Sequence, residues 1–423
     1  MKLKRISVTN LFGLLNYEID FTKSDTIIIT GPNGYGKTML LKIIDNIFNK
    51  NIPFFLQLNF SIIKFDFYNS SLTLDKHKSK KIHATAVDLI SGKKEHKVFQ
   101  QPKNNKEQLG LFDEIYDELF PTEHASKSYV LSHYLEQKRF KIENNTTNKT
   151  LISKYEHDSY LSNFIPSANI TFIKAQRLEH NKDAKSAIEE QAGFLLNLIK
   201  KATEQSAQIS QRLDSTFPTR LFDSINEGAS TSSITDRLIG IQRKRESYMK
   251  FGLIKSEQTI APERFGDTKL GKEYSTVLNL YISDALEKLS PYDDLFEKIN
   301  LFVKLLNEKM LAFKEIKISD EHGFYFEGSA GDEISLCDLS SGEQNQIVIY
   351  FDLIFKTNRN AIIMIDEPEI SLHVAWQKEF LESISRIQKL NEFSKIIIAT
   401  HSPQIVNNNW DITYDLFENN KNK

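Results

Sequence analysis

Four short stretches of this sequence carry residue types suited to phosphate chemistry. Gly31-Pro32-Asn33-Gly34-Tyr35-Gly36-Lys37-Thr38 matches G-x-x-x-x-G-K-[ST] in full. Its glycines permit backbone angles that turn successive N–H groups toward phosphate oxygens, and the helix that follows adds its partial positive charge. In such a loop Lys37 reaches the β and γ phosphates, and the Thr38 hydroxyl binds Mg²⁺. Asn33, Gly34, Tyr35, Gly36 and Met39 complete the expected nucleotide-binding segment.

The second stretch, Ala361 to Pro368, is an apolar strand ending in two carboxylates. Asp366 suits a Mg²⁺ shell, and Glu367 suits polarising an attacking water as general base. The bland alternative is a strand with a solvated acidic end. Glu369 reads either as a second acidic group near the metal or as a helix-start residue. The third stretch, Leu339-Ser340-Ser341-Gly342-Glu343, precedes a helical run from Gln344 to Phe355. Serines and a glycine at a helix N-terminus make an anion site without a lysine, or a plain helix cap. The fourth is a buried strand, Ile396 to Thr400, followed by His401. A lone histidine in such a place is ordinarily structural.

The elements that position these residues follow from periodicity. Residues 3–8 and 16–21 alternate as strands, 26–30 form a buried strand, and 37–48 a helix. Strand, glycine loop and helix stand in the order a phosphate site needs. Residues 58–100 read as antiparallel strands with polar turns, and 169–174 as a further strand. Ile188, Leu195, Ala202 and Ile209 repeat every seven residues, with Gln191 and Leu213 near a second seam. A helix over 182–214 would be about 50 Å long at 1.5 Å per residue. More helices are expected at 233–250, 272–289 and 291–313, with loops at 222–232 and 253–271, and then a hairpin at 316–327. The apolar stripe is packing, or else a short coiled-coil arm.

The bulk numbers narrow the class. With 423 residues the chain can hold two lobes or a core with an insertion, and its net charge of −2 argues against a polyanion binder over its whole surface. Arg243-Lys244-Arg245 is a local basic patch or a solvated helix face. The single cysteine, Cys337, excludes a disulfide framework and fits a reducing compartment. No leader-like or membrane-spanning apolar run is present, so the expected location is cytoplasmic.

The four stretches together resemble the motifs of ABC-class ATPases of the SMC, RecF and OLD-like group. Leu339 to Glu343 is similar to the ABC signature in its Leu-Ser-x-Gly-Glu form, and the resemblance implies that Ser340, Ser341, Gly342 and Glu343 complete the nucleotide site of a second subunit. It further implies a switch role for His401, a D-loop at 370–373, and a Q-loop role for Gln176 near Mg²⁺ and the attacking water. The implied fold is an α/β ABC-type head with an antiparallel β subdomain and a helical insertion. The expected boundaries are 1–180 and 315–423 for the two parts of the head and 181–314 for the insertion. The implied cofactors are ATP and Mg²⁺, and the implied assembly is a homodimer or higher even oligomer.

The run Asp366-Glu367-Pro368-Glu369-Ile370-Ser371-Leu372-His373, with Trp376-Gln377 and Ala399-Thr400-His401-Ser402-Pro403, looks like the OLD-like branch. OLD nucleases carry a Toprim domain after the last motif, whereas 20 residues follow Pro403 here. The chain therefore resembles the standalone ATPases of anti-phage systems, the AriA subunits of PARIS and the PtuA subunits of Septu. Leu213 to Arg220 shares their texture without suggesting a mechanism. The resemblance implies a sensor that controls a separate effector, a Toprim-type nuclease, and answers a phage-encoded trigger. A RecF-like DNA-maintenance ATPase is the alternative, in which DNA would be bound.

Overall fold

The structure is a computed structural model that describes residues 3–76, 81–100, 159–175, 187–225, 234–255, 272–309 and 313–421. Residues 1–176 and 357–423 form one compact unit, and 177–356 form another. The expected boundary at 314/315 falls inside the second unit.

The first unit opens with β1 (Leu3–Leu11), β2 (Leu15–Asp20) and β3 (Thr26–Thr30), then α1 (Lys37–Phe48) and α2 (Ile52–Gln57). Strands β4 (Ile62–Phe67), β5 (Ser70–Asp75), β6 (Lys81–Asp88) and β7 (Lys94–Gln100) follow, and α3 (Ser159–Phe164) and β8 (Ile170–Ile173) come next. Six strands make an antiparallel sheet in the order β2-β1-β4-β5-β6-β7, the β subdomain expected over 58–100 with β1 and β2 added. Ile63, Phe65 and Phe67 of β4 and Leu72 and Leu74 of β5 are buried, while Lys64 between them is exposed. That period of two seals one face and leaves the other to solvent.

The second unit contains α4 (Ala187–Ile225), α5 (Ile234–Lys250), α6 (Lys272–Leu289) and α7 (Asp293–Lys309). It continues with β9 (Lys314–Ser319), β10 (Gly323–Gly328), β11 (Glu333–Ile334) and α8 (Ser341–Phe351). The seven-residue stripe is committed to packing inside this unit: Ile188, Gln191, Leu195, Ile199, Ala202 and Leu213 are buried, and α4 packs on α6, β10 and α8. Gly323 sits under α4 with φ +77°, and a Cβ there would stand 2.0 Å from the Ala192 carbonyl oxygen. Only glycine meets both conditions.

Helix α4 runs past the expected end at 214 and takes up residues 222–225 of the expected loop, passing through Pro218. A proline lacks the N–H for the preceding turn and crowds its carbonyls. Side chains brace the turn before it. Thr216 Oγ1 donates to the Arg212 carbonyl at 3.0 Å, and Arg220 Nη2 donates to the Leu213 carbonyl at 2.8 Å. The Arg220 guanidinium also forks onto both oxygens of Asp284 in α6, at 2.5 and 2.8 Å. This explains the Leu213 to Arg220 run as helix support.

The chain then returns to the first unit with β12 (Ile362–Asp366), α9 (Val374–Asn391), β13 (Lys395–Ala399), α10 (Pro403–Val406), β14 (Thr413–Asp415) and α11 (Leu416–Lys421). A parallel five-stranded sheet has the order β14-β3-β13-β12-β8. Its central strands are isoleucine-rich and, apart from Thr26 at the start of β3, buried, as strands covered on both faces must be. Because all five strands run the same way, the loops after β3, β12 and β13 emerge at one edge. That edge is where open α/β sheets place ligands. Among the described residues no helix is long and apolar enough to cross a membrane.

Candidate functional site

The loop between β3 and α1 has the expected backbone. Gly31, Gly34 and Gly36 lie at φ +146°, +85° and +76°, and Gly36 caps α1 in the left-handed region. Lys37 is buried, and its ammonium donates to the carbonyls of Gly31 at 2.8 Å and Pro32 at 3.4 Å. Burial holds that ammonium below the ordinary lysine range, while the carboxylates of Glu367, Glu369 and Asp366 pull it back up. Tyr35 is anchored twice: its carbonyl accepts from the buried Tyr17 hydroxyl at 2.7 Å, and its ring meets Phe417 edge-on at 5.6 Å. Asn33 is exposed, and Met39 packs against the core of the unit.

Thr38 Oγ1 lies 3.0 and 2.9 Å from the two oxygens of Asp366. That is a hydrogen bond from the hydroxyl to the carboxylate, and it brings together two hard oxygen donors of the kind Mg²⁺ takes, directly or through water. The residues present therefore fit that ion. Asp366 ends β12 fully buried. The next residue, Glu367, takes φ +45° with its N–H donating to the Ala399 carbonyl at 2.8 Å. Left-handed backbone at a glutamate costs about 1–2 kcal/mol and is the kind of strain found at functional sites. It breaks the strand alternation at the point where the second carboxylate begins.

Of the two readings of Glu369, the helix start is the one the structure corrects, and its carboxylate stands near enough to act on the Lys37 ammonium. Helix α9 begins at Val374 and is capped by His373, so Glu369 starts no helix. Its buried Oε1 accepts from the Thr400 hydroxyl at 2.7 Å and the His401 N–H at 2.7 Å, and lies 3.0 Å from His401 Nδ1. Thus β13 delivers His401 to the same edge as Asp366 and Glu367. Gln176 lies outside the described residues.

The serine stretch belongs to the second unit. Ser340 caps α8, with its hydroxyl accepting from the Glu343 N–H at 3.3 Å and Glu343 Oε2 accepting from the Ser340 N–H at 2.8 Å. Ser340 and Ser341 are exposed and Gly342 is buried. Glu343 is also buried and takes Lys314 Nζ at 3.0 and 3.1 Å. Burial pushes its carboxyl up, and the Ser340 backbone N–H, Lys314 and the Ser340 hydroxyl outweigh that and leave it below the usual range. Glu343 thus shapes the loop, while the serines face solvent at a helix N-terminus. Phe351 at the far end of α8 anchors it against Phe302 and Phe324 at 5.7 and 5.9 Å. Within the basic run, Lys244 pairs with Asp293 at 2.8 Å, so one of its three charges is engaged internally.

Tyr17, Lys314 and Thr400 escaped the sequence reading as site residues. Tyr17 shows only the period of two of an ordinary inward strand position. Lys314 is far in sequence from its partner. Thr400 lies in a quoted motif but carries no signal of its hydroxyl's target.

The parallel sheet, the glycine loop and the paired strand-end carboxylates are the features of a P-loop ATPase head. The family model described as AAA ATPase domain matches residues 1–406, and the chain belongs to that family. Among solved structures, one similar chain is the Smc head domain of Pyrococcus furiosus with an extended coiled coil, bound to the C-terminal domain of ScpA. It is 13% identical with a TM-score of 0.39, and the match covers 96% of this chain and 91% of that one. A second is an Smc head bound to the C-winged helix domain of ScpA, at 10% identity, TM-score 0.34 and the same coverage. No curated protein matches the chain.

Proposed function

We propose that the chain hydrolyses ATP in a site completed by a second copy, and that this hydrolysis switches a separate effector in an anti-phage defence system. The observation that carries the ATPase part is the convergence of the Thr38 hydroxyl and the Asp366 carboxylate beside a buried Lys37. Lys37 and the loop N–H groups hold the β and γ phosphates. Thr38 and Asp366 hold Mg²⁺, which when bound neutralises phosphate charge. Glu367 takes a proton from the attacking water, and His401 contacts the γ phosphate. The exposed Ser340 and Ser341 of a second copy supply hydroxyls and a helix N-terminus to the same phosphate. Loss of the γ phosphate on hydrolysis removes what the two copies share, and this is the switching event. The defence role rests on the resemblance at 366–377 and 399–403 and names a Toprim-type nuclease as the effector.

Subunit mixing tests the composite site. A Lys37→Ala copy and a Ser341→Arg copy are each expected to be inactive alone. Mixed, they form heterodimers with one intact loop facing one intact serine stretch, and ATP turnover returns. Absence of recovery, with both proteins folded, would remove the dimer. For the defence role, cells carrying this gene and its neighbouring effector gene are challenged with phage. Protection should vanish with Lys37→Ala; protection that persists would remove the link between ATP and defence.

A further inference from the structure

We propose that Glu369 is the positioning residue of His401, fixing both the ring and the nitrogen it offers to a ligand. This rests on the ATPase reading. Glu369 is 6% exposed, and its Oε1 gathers the Thr400 hydroxyl, the His401 backbone N–H and His401 Nδ1 within 3.0 Å. The His401 ring is 49% exposed, so one side of it is held and the other is free to meet a ligand. The carboxylate itself is held in turn. Ser402 N–H donates to Thr400 Oγ1 at 3.0 Å, which leaves the single Thr400 proton for Glu369. Ser402 Oγ donates to Gln377 Oε1 at 2.6 Å, and Gln377 Nε2 donates to the Leu372 carbonyl at 2.9 Å. Side chains from the turn after β12, from α9 and from the loop after β13 are thereby locked together.

The chemistry follows from the acceptor. A carboxylate has no proton to give, so His401 Nδ1 must be the N–H partner. That leaves Nε2 for the ligand. A phosphate oxygen is also an acceptor, and Nε2 serves it only as N–H. The pairing at Nδ1 therefore fixes which ring nitrogen faces the ligand. With a neutral amide in place of the carboxylate, the amide can turn its NH₂ toward Nδ1 and select the opposite tautomer.

The test uses the full chain with ¹⁵N-labelled histidine, with His401→Ala assigning the ring signals. Without nucleotide, His401 should show a protonated Nδ1, and Glu369→Gln should shift the Nδ1 and Nε2 signals. Glu369→Asp, which keeps the charge but shortens the reach, should give intermediate shifts and covers the case in which the glutamine variant does not fold. In ATP turnover, Glu369→Gln should lower kcat roughly 10- to 100-fold, as loss of an orienting partner does, with KM within about twofold. Adding Glu369→Gln to His401→Ala should cost nothing further, because both changes remove one function. Ring signals unchanged by both Glu369 variants, or losses that multiply in the double variant, would overturn the proposal. The ring measurement needs no ATP, so it decides the pairing even if the chain proves inactive as an ATPase.

Discussion

Thr38 and Asp366 stand 328 positions apart in the chain and meet through contacts of 2.9 and 3.0 Å. One residue opens the helix after β3 and the other closes β12, with β13 between those strands in the sheet. Parallel strands bring them to one edge, and that edge is the reason for the first expectation. Asp366→Asn should weaken Mg²⁺-dependent ATP binding by at least about tenfold, roughly the 1.4 kcal/mol of one weakened charged contact. Titration calorimetry with and without Mg²⁺ checks it; equal affinities in both proteins would detach Asp366 from the metal.

Glu367→Gln keeps the shape of the side chain and removes its basicity. ATP should bind normally while turnover falls by about 10²–10⁴, the ordinary worth of a general base. Single-turnover measurements separate the two effects. Turnover at the wild-type rate would move the base elsewhere.

Lys37→Met removes an ammonium that burial holds below its ordinary range. For a base whose folded value is lowered, the folded state binds fewer protons. Stability is therefore diminished below the folded value and regained as pH rises toward the unfolded one, near 10.4. At neutral pH the nucleotide-free variant should be at least as heat-stable as the wild type. It should also lose the stabilisation that ATP confers, about 2.7 kcal/mol at a concentration of 100 Kd. Thermal melts with and without ATP read both.

Glu343 is shifted the same way, but in an acid a lowered folded value stabilises the fold at neutral pH. Its folded value is lowered, so its contribution is present above the unfolded value, near 4.3, and disappears as pH falls through the folded one. Acid should therefore loosen the start of α8. Glu343→Gln should cost about 1–2 kcal/mol at pH 7, in the range of a lost cap. That difference should shrink in chemical denaturation at pH 3–4, where a constant difference would assign the loss to packing alone.

Arg220→Lys tests the support at Pro218. A lysine offers a point charge where the fork contacts Asp284 twice and the Leu213 carbonyl once. The substitution should cost about 1–3 kcal/mol. Pro218→Ala in the same background should restore part of it, because a backbone N–H returns to the turn. No recovery would mean that the cost is unrelated to the proline.

The glycine loop, Asp366 and the serine cap were legible because each is a local pattern with a backbone consequence. The outer strands were legible because their period is two. Glu369 was not, because its partners lie beyond β13's own turn and nothing local distinguishes a carboxylate aimed at a histidine from one aimed at a metal. The end of α4 was not, since the seven-residue repeat gives out near Leu213 and nothing local shows Arg220 reaching Asp284 on α6. Nor was the extent of the second unit, which depends on Gly323 passing under Ala192 and on Phe351 meeting Phe302 and Phe324.

The stretch from Thr413 to Lys421 bears on how variants distant from the nucleotide should be interpreted. A Cβ at Gly31 would stand 3.3 Å from Leu416 Cβ, Phe417 braces Tyr35, and the Tyr414 hydroxyl is 2.9 Å from the Asp20 nitrogen. These residues form a wall behind the phosphate loop. A change at Leu416 or Phe417 would loosen that wall, and weak ATP binding in such a variant would report on the loop's support and not on its phosphate ligands.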